Sequence, residues 1–454
     1  MDYTPAALLT DFMWASLLIF TAKFLREKLI FLQKMFIPVS VLSGFLGLAL
    51  GPKLLNVIPF SGSISSYSGL LIIVVFVTLG LRGFDFDKGK QHKKGDTFRR
   101  LGAFYCFRNI GWAFQYSMPI LFTVAVLRLI DSELPDAFGL MMAMGFQGGH
   151  GTSAAVGDTL AQLGWADATD LGMTVATITL LMSIVFGIIF IKIATKKGWT
   201  AYTPDFEKLP KELQTGKISE EMRESMGDNT ISSNVLDSLC WHLALVLIPS
   251  GLGYILTQWI SKVTKLGVPS FSVGFLLAIV FSYLLKAIKA DKYVDKRIFN
   301  RISGTATDYL VFFGIVAINP YIVLKYIGPF LLMLLFGFAW TTFHFLVLAP
   351  HMMRKHWFER DVYAYGLSTG VTSISMCLLR IVDPDNKSGT LDDAAILTPV
   401  ESIIEIFALA IFPTLLMTGK WYICVLTAGI YMLAMLIIPI ATGWWYNGPK
   451  QSEN

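Results

Sequence analysis

Charged residues are scarce in this chain. Of its 454 residues, 15% are Asp, Glu, Lys or Arg, whereas 54% are hydrophobic. A soluble surface needs a larger charged share, so the composition excludes an ordinary soluble globular protein. Apolar runs of about 18 or more residues recur along the chain, and each is long enough to cross the roughly 30 Å hydrocarbon core of a bilayer as a helix. The sequence therefore predicts an all-α polytopic membrane protein.

Cysteine is also rare, and the cysteines lie far apart in the sequence. This spacing excludes a disulfide framework and a CxxC metal site, and no transition-metal site is expected. The bland interpretation is that the cysteines are small buried apolar residues. They are Cys106, Cys240, Cys377 and Cys424.

Nucleotide and hydrolase motifs are lacking as well. The Gly-His-Gly-Thr run at 149 to 152 lacks the GK[ST] ending of a phosphate-binding loop, and no GxSxG nucleophile elbow occurs. An ATP-driven pump and an intramembrane hydrolase are therefore disfavoured, and we predict neither an enzyme nor a bound cofactor. The net charge of +5 lies in loops, so it gives no reason to expect a nucleic-acid partner.

The remaining pattern is a series of apolar segments. Hydropathy predicts spans at about 7 to 27, 36 to 52, 66 to 82, 108 to 130, 168 to 195, 236 to 258, 267 to 286, 306 to 325, 327 to 350, 397 to 418 and 421 to 442. Two further segments, about 136 to 164 and 361 to 382, are apolar but interrupted by Gly, Ser and Thr. Each is too short for two crossings and too broken for one, which predicts a re-entrant hairpin of two half-helices.

Basic residues support this topology, because cytoplasmic loops are enriched in Lys and Arg. If both hairpins return to their own side, most of the basic residues fall in loops that share one face. Those loops are 23 to 34, 82 to 108, 191 to 235, 286 to 304 and 351 to 360. The amino terminus is then predicted to lie outside the cell and the carboxyl terminus in the cytoplasm.

The two halves of the chain have matching layouts. Span two begins at Ile37-Pro38 and span seven at Val268-Pro269, and each half continues into one of the hairpins. Five crossings make an odd unit, so the second copy must be inverted, which is typical of secondary transporters. We therefore divide the chain into a first repeat at 1 to 197, a cytoplasmic linker at 198 to 235, a second repeat at 236 to 418, and an additional C-terminal span and tail at 419 to 454.

The stretch 144 to 157, MGFQGGHGTSAAVG, predicts a helix break inside the membrane. Its glycines are expected to end one half-helix, and Thr152 or Ser153 to cap the next. A helix that begins there directs free N–H groups and a positive dipole end at the ligand, which favours an anion. The alternative is that the glycines only allow close helix packing. His150 is expected to hydrogen-bond the substrate, with packing and proton carriage as alternatives. The predicted substrate contacts are Gln147, Gly148, Gly149, His150, Gly151, Thr152 and Ser153.

The second hairpin contains GLSTGVTSIS at 366 to 375. Its hydroxyl and broken-helix carbonyl oxygens suit a hard monovalent cation such as sodium, although hydroxyl bonding within a kinked helix is an alternative. We predict that Ser368, Thr369 and Gly370 contact the substrate, and that Thr372 and Ser373 contact the ion.

Acidic residues inside a membrane are costly and by default functional. Glu401 and Glu405 lie four residues apart on one face of span ten, and they repel each other if both ionise. A neighbouring cation or a bound proton is needed there, so ion coordination and proton carriage are both open. With Thr169 and Asp170 at the start of span five, they complete the predicted ion ligands.

Several motifs resemble the bacterial sodium/glutamate symporter family. They are GGHGTSAA at 148 to 155, ATDLGMTVAT at 168 to 177, IPVSVLSGFLG at 37 to 47 and PHMMRKHWFERD at 350 to 361. The resemblance implies a homodimer in the inner membrane of a bacterium, in which a mobile core carries substrate by an elevator-type movement. It carries over Gly148, Gly149, His150, Gly151 and Thr152, with Thr169 and Asp170. The sequence departs from the family pattern at Thr369 to Thr372, at Glu401 and Glu405, and in the additional final span.

These observations lead to one principal hypothesis and one alternative. The principal hypothesis is a sodium-coupled symporter that imports glutamate or a related small carboxylate or amino acid. The alternative is a proton-coupled transporter of another organic anion on the same fold, and a channel is less favoured. The expected partners are a small anionic substrate, sodium, the lipid bilayer and a second copy of the chain.

Overall fold

The computed structural model of the protein describes residues 4–34, 37–82, 94–202, 218, 220, 223, 225–264, 269–370, 372–383 and 386–446. Within these ranges the secondary structure is helical and contains no strand, which confirms the predicted all-α fold class. Cys106 and Cys424 are buried, as expected, but Cys240 is exposed, so its predicted burial was wrong. The side chain of Cys377 lies outside the described part of the chain.

The first half of the described chain runs through helices of very different length. They are α1 (Pro5–Lys28), α2 (Ile30–Lys34), α3 (Val39–Leu50), α4 (Ile64–Arg82), α5 (Lys94–Ala125), α6 (Leu140–Met142), α7 (Gly149–Gln162) and α8 (Ala168–Lys197). A 3₁₀ turn at Asp136–Gly139 precedes α6, and a π-helical turn at Ala143–Gln147 follows it. The first hairpin is therefore a 3₁₀, α and π segment followed by a regular helix.

The second half repeats this alternation of long and short helices. They are α9 (Ser238–Thr264), α10 (Ser270–Ala287), α11 (Lys296–Ala317), α12 (Pro320–Lys325), α13 (Ile327–Phe343), α14 (Ala349–Met352), α15 (Trp357–Thr369), α16 (Thr372–Val382), α17 (Thr390–Met417) and α18 (Trp421–Ala441). A π-helical turn at His344–Leu348 joins α13 to α14.

Eight helical segments in the described ranges are long and apolar enough to cross a membrane. They lie at Pro5–Lys28, Phe98–Leu129, Ala168–Lys197, Ser238–Ile260, Ser270–Ala287, Ile327–Met352, Val400–Met417 and Trp421–Ala441. Two other predicted spans fall on shorter apolar helices, Val39–Leu50 and Ser66–Arg82. The predicted span at 306 to 325 falls partly on α11, which is more polar because it begins with Lys296 and Arg297.

Three predicted span starts were wrong for a common reason. α5 begins at Lys94 rather than at 108, α11 at Lys296 rather than at 306, and α17 at Thr390 rather than at 397. A helix can continue into the headgroup region, where charged side chains are solvated, and hydropathy detects only its apolar part. α11 also ends early, at Ala317, because Pro320 has no N–H and Asn319 caps the next helix through its side chain.

The chain reverses direction inside the first hairpin. Ser153 Oγ donates to Met144 O at 3.1 Å although the two residues are nine positions apart. In a straight helix this separation would span about 13.5 Å. The second hairpin has the same spacing, because a Cβ placed on Gly366 would lie 2.7 Å from the Cα of Ser375. The sides to which the hairpins return, and the inverted relation of the two halves, stay predictions.

The helices that surround both hairpins form the buried core. α7 packs on α8, α15 packs on α16, and α5 lies along α18 while contacting the hairpins and α17. α4 packs between α10 and α11, and α1 packs on α3. α5 is therefore the long element that reaches both hairpins and the C-terminal helices.

Candidate functional site

A cavity of about 250 Å³ lies where the two hairpins, α4, α5 and α17 meet. Its polar lining comes from separate parts of the chain, since no single helix supplies more than a few of the groups. These polar and glycine residues are Arg108, Asn109, Gln147, Gly148, Thr152, Gly370, Thr372, Thr398, Glu401, Ser402 and Glu405. The volume is close to the lower end of the range for small-molecule sites, roughly 300–1,000 Å³. The cavity therefore fits a small metabolite.

The first hairpin meets the cavity at its break. Gly148 is the N-cap of α7, and Gly149 has a φ of 63°, a left-handed conformation that glycine adopts without strain. The predicted cap at Thr152 or Ser153 was wrong, because the positive φ of Gly149 lets the helix begin with its cap four or five residues earlier, at Gly148. Thr152 thus directly follows Gly149, His150 and Gly151, whose backbone N–H groups in the first turn of α7 have no intrahelical partner.

One glutamine joins the two hairpins. Gln115 of α5 is fully buried. Its Nε2 donates to Ser368 O at 3.0 Å, and its Oε1 accepts from the N–H of Gln147 at 3.1 Å. The two bonds tie the end of each first half-helix to the same side chain of α5. The breaks of the two hairpins are thereby held next to each other.

Arg108 is the basic residue among the described residues that line the cavity. Its Nη2 forms an ion pair with Glu401 Oε2 at 2.6 Å, and its side chain is 6% exposed. Its guanidinium also faces the rings of Phe104 and Tyr363 at 5.5 and 5.9 Å. Nη1 is buried and has no hydrogen-bond partner within the described chain. A buried guanidinium nitrogen without a partner is costly, and a carboxylate ligand would satisfy it.

The ion pair between Arg108 and Glu401 reduces the repulsion expected between Glu401 and Glu405. Arg108 supplies one positive charge from a neighbouring helix, so one of the two carboxylates has a partner within the protein. Glu405 lines the same cavity without such an ion pair in the described ranges. The cavity therefore combines an incompletely satisfied guanidinium with a carboxylate that is free to bind a cation or an ammonium group.

A hydrogen-bonded chain from the last helix supports this acid. Tyr431 OH donates to Asn109 Oδ1 at 2.9 Å and lies 2.9 Å from Tyr105 OH. Asn109 Nδ2 in turn reaches Glu401 Oε1 at 3.4 Å. The ring of Tyr431 also packs edge-on against Trp112, which lines the cavity. α18 is thus connected to the site although it follows the repeats predicted from the sequence.

Seven of the predicted site residues line this cavity. They are Gln147, Gly148, Thr152, Gly370, Thr372, Glu401 and Glu405. Gln147 Oε1 is buried without a hydrogen-bond partner in the described part of the chain, so it too is available to a ligand.

Other predicted substrate contacts bond to protein groups outside the lining. His150 is 1% exposed, and its Nε2 lies 3.0 Å from Thr177 Oγ1. Ser153 Oγ donates to Met144 O and Gly172 O, and Thr369 Oγ1 donates to Ser183 Oγ at 2.8 Å. Ser368 contributes its carbonyl to Gln115, as described above. Gly149 and Gly151 form the first turn of α7 beside the cavity.

The predicted ion ligands of span five, Thr169 and Asp170, lie near the second helix of the first hairpin, α7. Gly157 packs against Thr169, since a Cβ on this glycine would lie 2.8 Å from Thr169 Oγ1. Asp170 Oδ1 accepts from the N–H of Asn319 at 2.6 Å. Neither residue is part of the cavity lining. The side chain of Ser373 lies outside the described residues. The ion-binding roles of all three stay predictions.

Sequence reasoning missed Arg108, Asn109, Gln115 and Tyr431. Arg108 was placed at the end of a loop because the span was drawn from 108, whereas it lies well inside α5. The signal was a single basic residue in the apolar run FYCFRNIGWAF, and an intramembrane charge is a default functional candidate. Gln115 and Tyr431 carry no comparable signal, because Gln115 bonds to Ser368, 253 positions away, and Tyr431 bonds to Asn109, 322 positions away.

Comparison with known proteins assigns the chain to a family. The family model for the sodium/glutamate symporter matches residues 6–373, which include both hairpin breaks and Arg108 but not Glu401, Glu405 or α18. A comparison with curated proteins found no match. Because the family model covers most of the chain, this multi-pass membrane protein belongs to the sodium/glutamate symporter family, and it is a transporter of a sodium-coupled class rather than an enzyme.

Proposed function

We propose that this protein imports glutamate, or a closely related small amino acid, together with sodium. The observation that carries the proposal is the convergence of both hairpin breaks and Arg108 on one cavity of about 250 Å³. The cavity offers a helix start and an unpartnered guanidinium nitrogen for a negative group, and a separate carboxylate for a positive group. These groups suit a small molecule that carries both a negative and a positive charge.

The substrate carboxylate is assigned to Arg108 Nη1 and the start of α7. Nη1 supplies the charged donor, and the first turn of α7 supplies N–H groups at the positive end of a helix dipole. Thr152 adds a hydroxyl beside them. The ammonium group of an amino acid is assigned to Glu405, the carboxylate without an ion pair in the described lining. Gln147 Oε1 is a further acceptor.

Sodium is assigned to the oxygen-rich side of the same cavity. Thr372, Thr398 and Ser402 line that side with hydroxyl-bearing side chains, and hard cations prefer oxygen ligands. Glutamate carries one net negative charge, and its inward movement is opposed by about 2.3 kcal/mol for each 100 mV of inside-negative potential. More than one sodium ion for each glutamate is therefore needed to make uptake favourable through the potential.

We further propose that access alternates by an elevator-type movement within a homodimer. The arrangement has two inverted repeats, with the amino terminus outside and the carboxyl terminus in the cytoplasm of a bacterium. The two reversals with the same nine-residue spacing, at Met144 to Ser153 and Gly366 to Ser375, support the repeat. The substrate site then belongs to the interface between the repeats, as in other transporters with broken helices.

A binding experiment tests the assignment. The purified protein is heated with glutamate, glutamine or glutarate, each in sodium and in potassium salt at one pH. We expect glutamate to raise the melting temperature in sodium only, and glutarate, which lacks the ammonium group, to act more weakly. Equal stabilisation in sodium and potassium would contradict sodium coupling and favour the proton-coupled alternative.

A matched pair of variants tests the location of the site. Thr152→Val removes a hydroxyl from the cavity and keeps the side-chain volume, so it should weaken sodium-dependent stabilisation by glutamate. Thr159→Val is the control, because Thr159 lies on the same helix but bonds to Ala155 O and is not part of the lining. If both variants bind glutamate as the wild type does, the first hairpin is not part of the site.

A further inference from the structure

A second cavity, of about 470 Å³, is strongly basic. It lies between the start of α5, the connection from α14 to α15, and the residues that follow α18. It shares no lining residue with the cavity described above. Its basic lining residues are Arg99, Arg100, Arg354, Lys355 and Arg360.

The positive charge of this basic cavity is only partly neutralised. Asp393 pairs with Arg100 at 2.8 Å and with Arg360 at 3.1 Å, so a single carboxylate is shared by two guanidinium groups. Arg354 and Lys355 are exposed and form no ion pair within the described ranges. The basic cavity therefore holds an excess of positive charge beside an anchored network.

The positive charge of the basic cavity also affects the neighbouring His356. Burial lowers the pKa of His356, and the positive charge of Arg360 lowers it further. Arg360 is 2% exposed and is also held by the carbonyls of Lys355 and Ser388, so its position is well determined. The charge of Arg360 is therefore fixed in place beside the exposed Arg354 and Lys355.

Aromatic residues of the kind enriched at the level of lipid headgroups lie beside the basic cavity. α18 ends at Ala441, and Trp444, Trp445 and Tyr446 follow within five residues. Trp and Tyr are enriched where a membrane span meets the headgroup region. Trp444 packs against exposed Phe98 at 5.9 Å between ring centroids.

Tyr446 forms one wall of the basic cavity. The guanidinium groups of Arg99 and Arg354 lie 5.2 and 5.7 Å from its ring centroid. Arg99 Nη2 also donates to Gly443 O at 2.9 Å. These contacts leave other guanidinium donors for a ligand, since an arginine carries five N–H groups. The wall that follows the membrane span is thus amphipathic, as a lipid-binding surface requires.

We propose that the basic cavity binds the phosphate headgroup of an anionic phospholipid. Guanidinium groups bind phosphate oxygens in a bidentate manner, and basic pockets at the ends of membrane helices bind anionic headgroups. A free phosphate offers the same oxygens, but the aromatic residues beside the cavity favour a ligand with acyl chains in the bilayer. The lipid would link the start of α5, the entry to the second hairpin and the end of α18.

The test uses the full-length protein in a mild detergent. Its melting temperature is measured with increasing phosphatidylglycerol, with phosphatidylcholine of the same acyl chains, and with inorganic phosphate. We expect saturable stabilisation by phosphatidylglycerol alone. In Arg354→Gln/Lys355→Gln the half-saturating concentration should rise by about tenfold or more, since two charged donors are lost.

Two further double variants make the result specific. Lys192→Gln/Lys196→Gln removes two exposed charges at the end of α8 that do not line the basic cavity, and should respond to lipid as the wild type does. Arg354→Lys/Lys355→Arg keeps the charge and should retain most of the stabilisation. An unchanged response in Arg354→Gln/Lys355→Gln would overturn the proposal. Equal stabilisation by phosphatidylcholine, or competition by inorganic phosphate at the same concentration, would overturn the lipid assignment.

Discussion

Arg108 is the residue whose replacement tests the site most sharply. Arg108→Gln removes the ion pair with Glu401 at 2.6 Å and the unpartnered Nη1 that we assign to the substrate carboxylate. A hydrogen bond to a charged group contributes about 1.5–3 kcal/mol, so the glutamate affinity should fall by roughly 10- to 150-fold. The assay is a glutamate titration of the purified variant at a fixed, saturating sodium concentration.

The same substitution also affects folding, and the two effects are separable. Glu401 is left as a largely buried carboxylate without its cation, which costs about 3–5 kcal/mol of stability. Glu401→Gln should restore much of that stability in the double variant, but it should not restore glutamate affinity. The control is Arg128→Gln, which breaks the ion pair of Arg128 with Asp136 at 2.8 Å outside the cavity. Glutamate binding by Arg108→Gln within about twofold of the wild type would refute the assignment.

Three further substitutions have defined outcomes. Tyr431→Phe removes the hydroxyl that donates to Asn109 and should lower both the melting temperature and the glutamate affinity; a change in neither would contradict the role of α18. Gln115→Leu removes two buried hydrogen bonds, about 1 kcal/mol each, and should slow sodium-driven uptake in vesicles, whereas uptake at the wild-type rate would show that the link between hairpins is dispensable. Asp295→Ala removes the N-cap of α11, since the Asp295 carboxylate accepts from the N–H of Arg297 at 2.9 Å. The free energy of unfolding, followed by thermal denaturation, should fall by about 1 kcal/mol without a change in substrate affinity.

Local features of the fold were readable from the sequence. Long apolar runs predict the helices because each must satisfy its own backbone inside lipid. The glycines at 148 and 149 predict a break, since only a residue without a Cβ adopts the φ of 63° seen at Gly149 without strain. The cap lies four or five residues before the predicted position because the glycine itself supplies the turn.

Long-range features were not readable. The partners of Arg108 and Gln115 lie 293 and 253 positions away, at Glu401 and Ser368, and no local pattern encodes such a pairing. The ambiguity over Glu401 and Glu405 had the same origin, because the compensating charge comes from another helix. Tyr431 lies in the final span, which was predicted to be an addition because it has no counterpart in the first repeat. The packing of α18 along α5 nevertheless brings Tyr431 to the site.

Uptake into vesicles tests the central claim most directly. The protein is reconstituted into liposomes, and radiolabelled glutamate uptake is measured at fixed pH with an inward sodium gradient or with sodium replaced by potassium. We predict saturable uptake with sodium, further stimulated by an inside-negative potential, as the proposed entry of more than one sodium ion with each glutamate requires. Uptake that persists at the same rate in potassium would contradict sodium coupling.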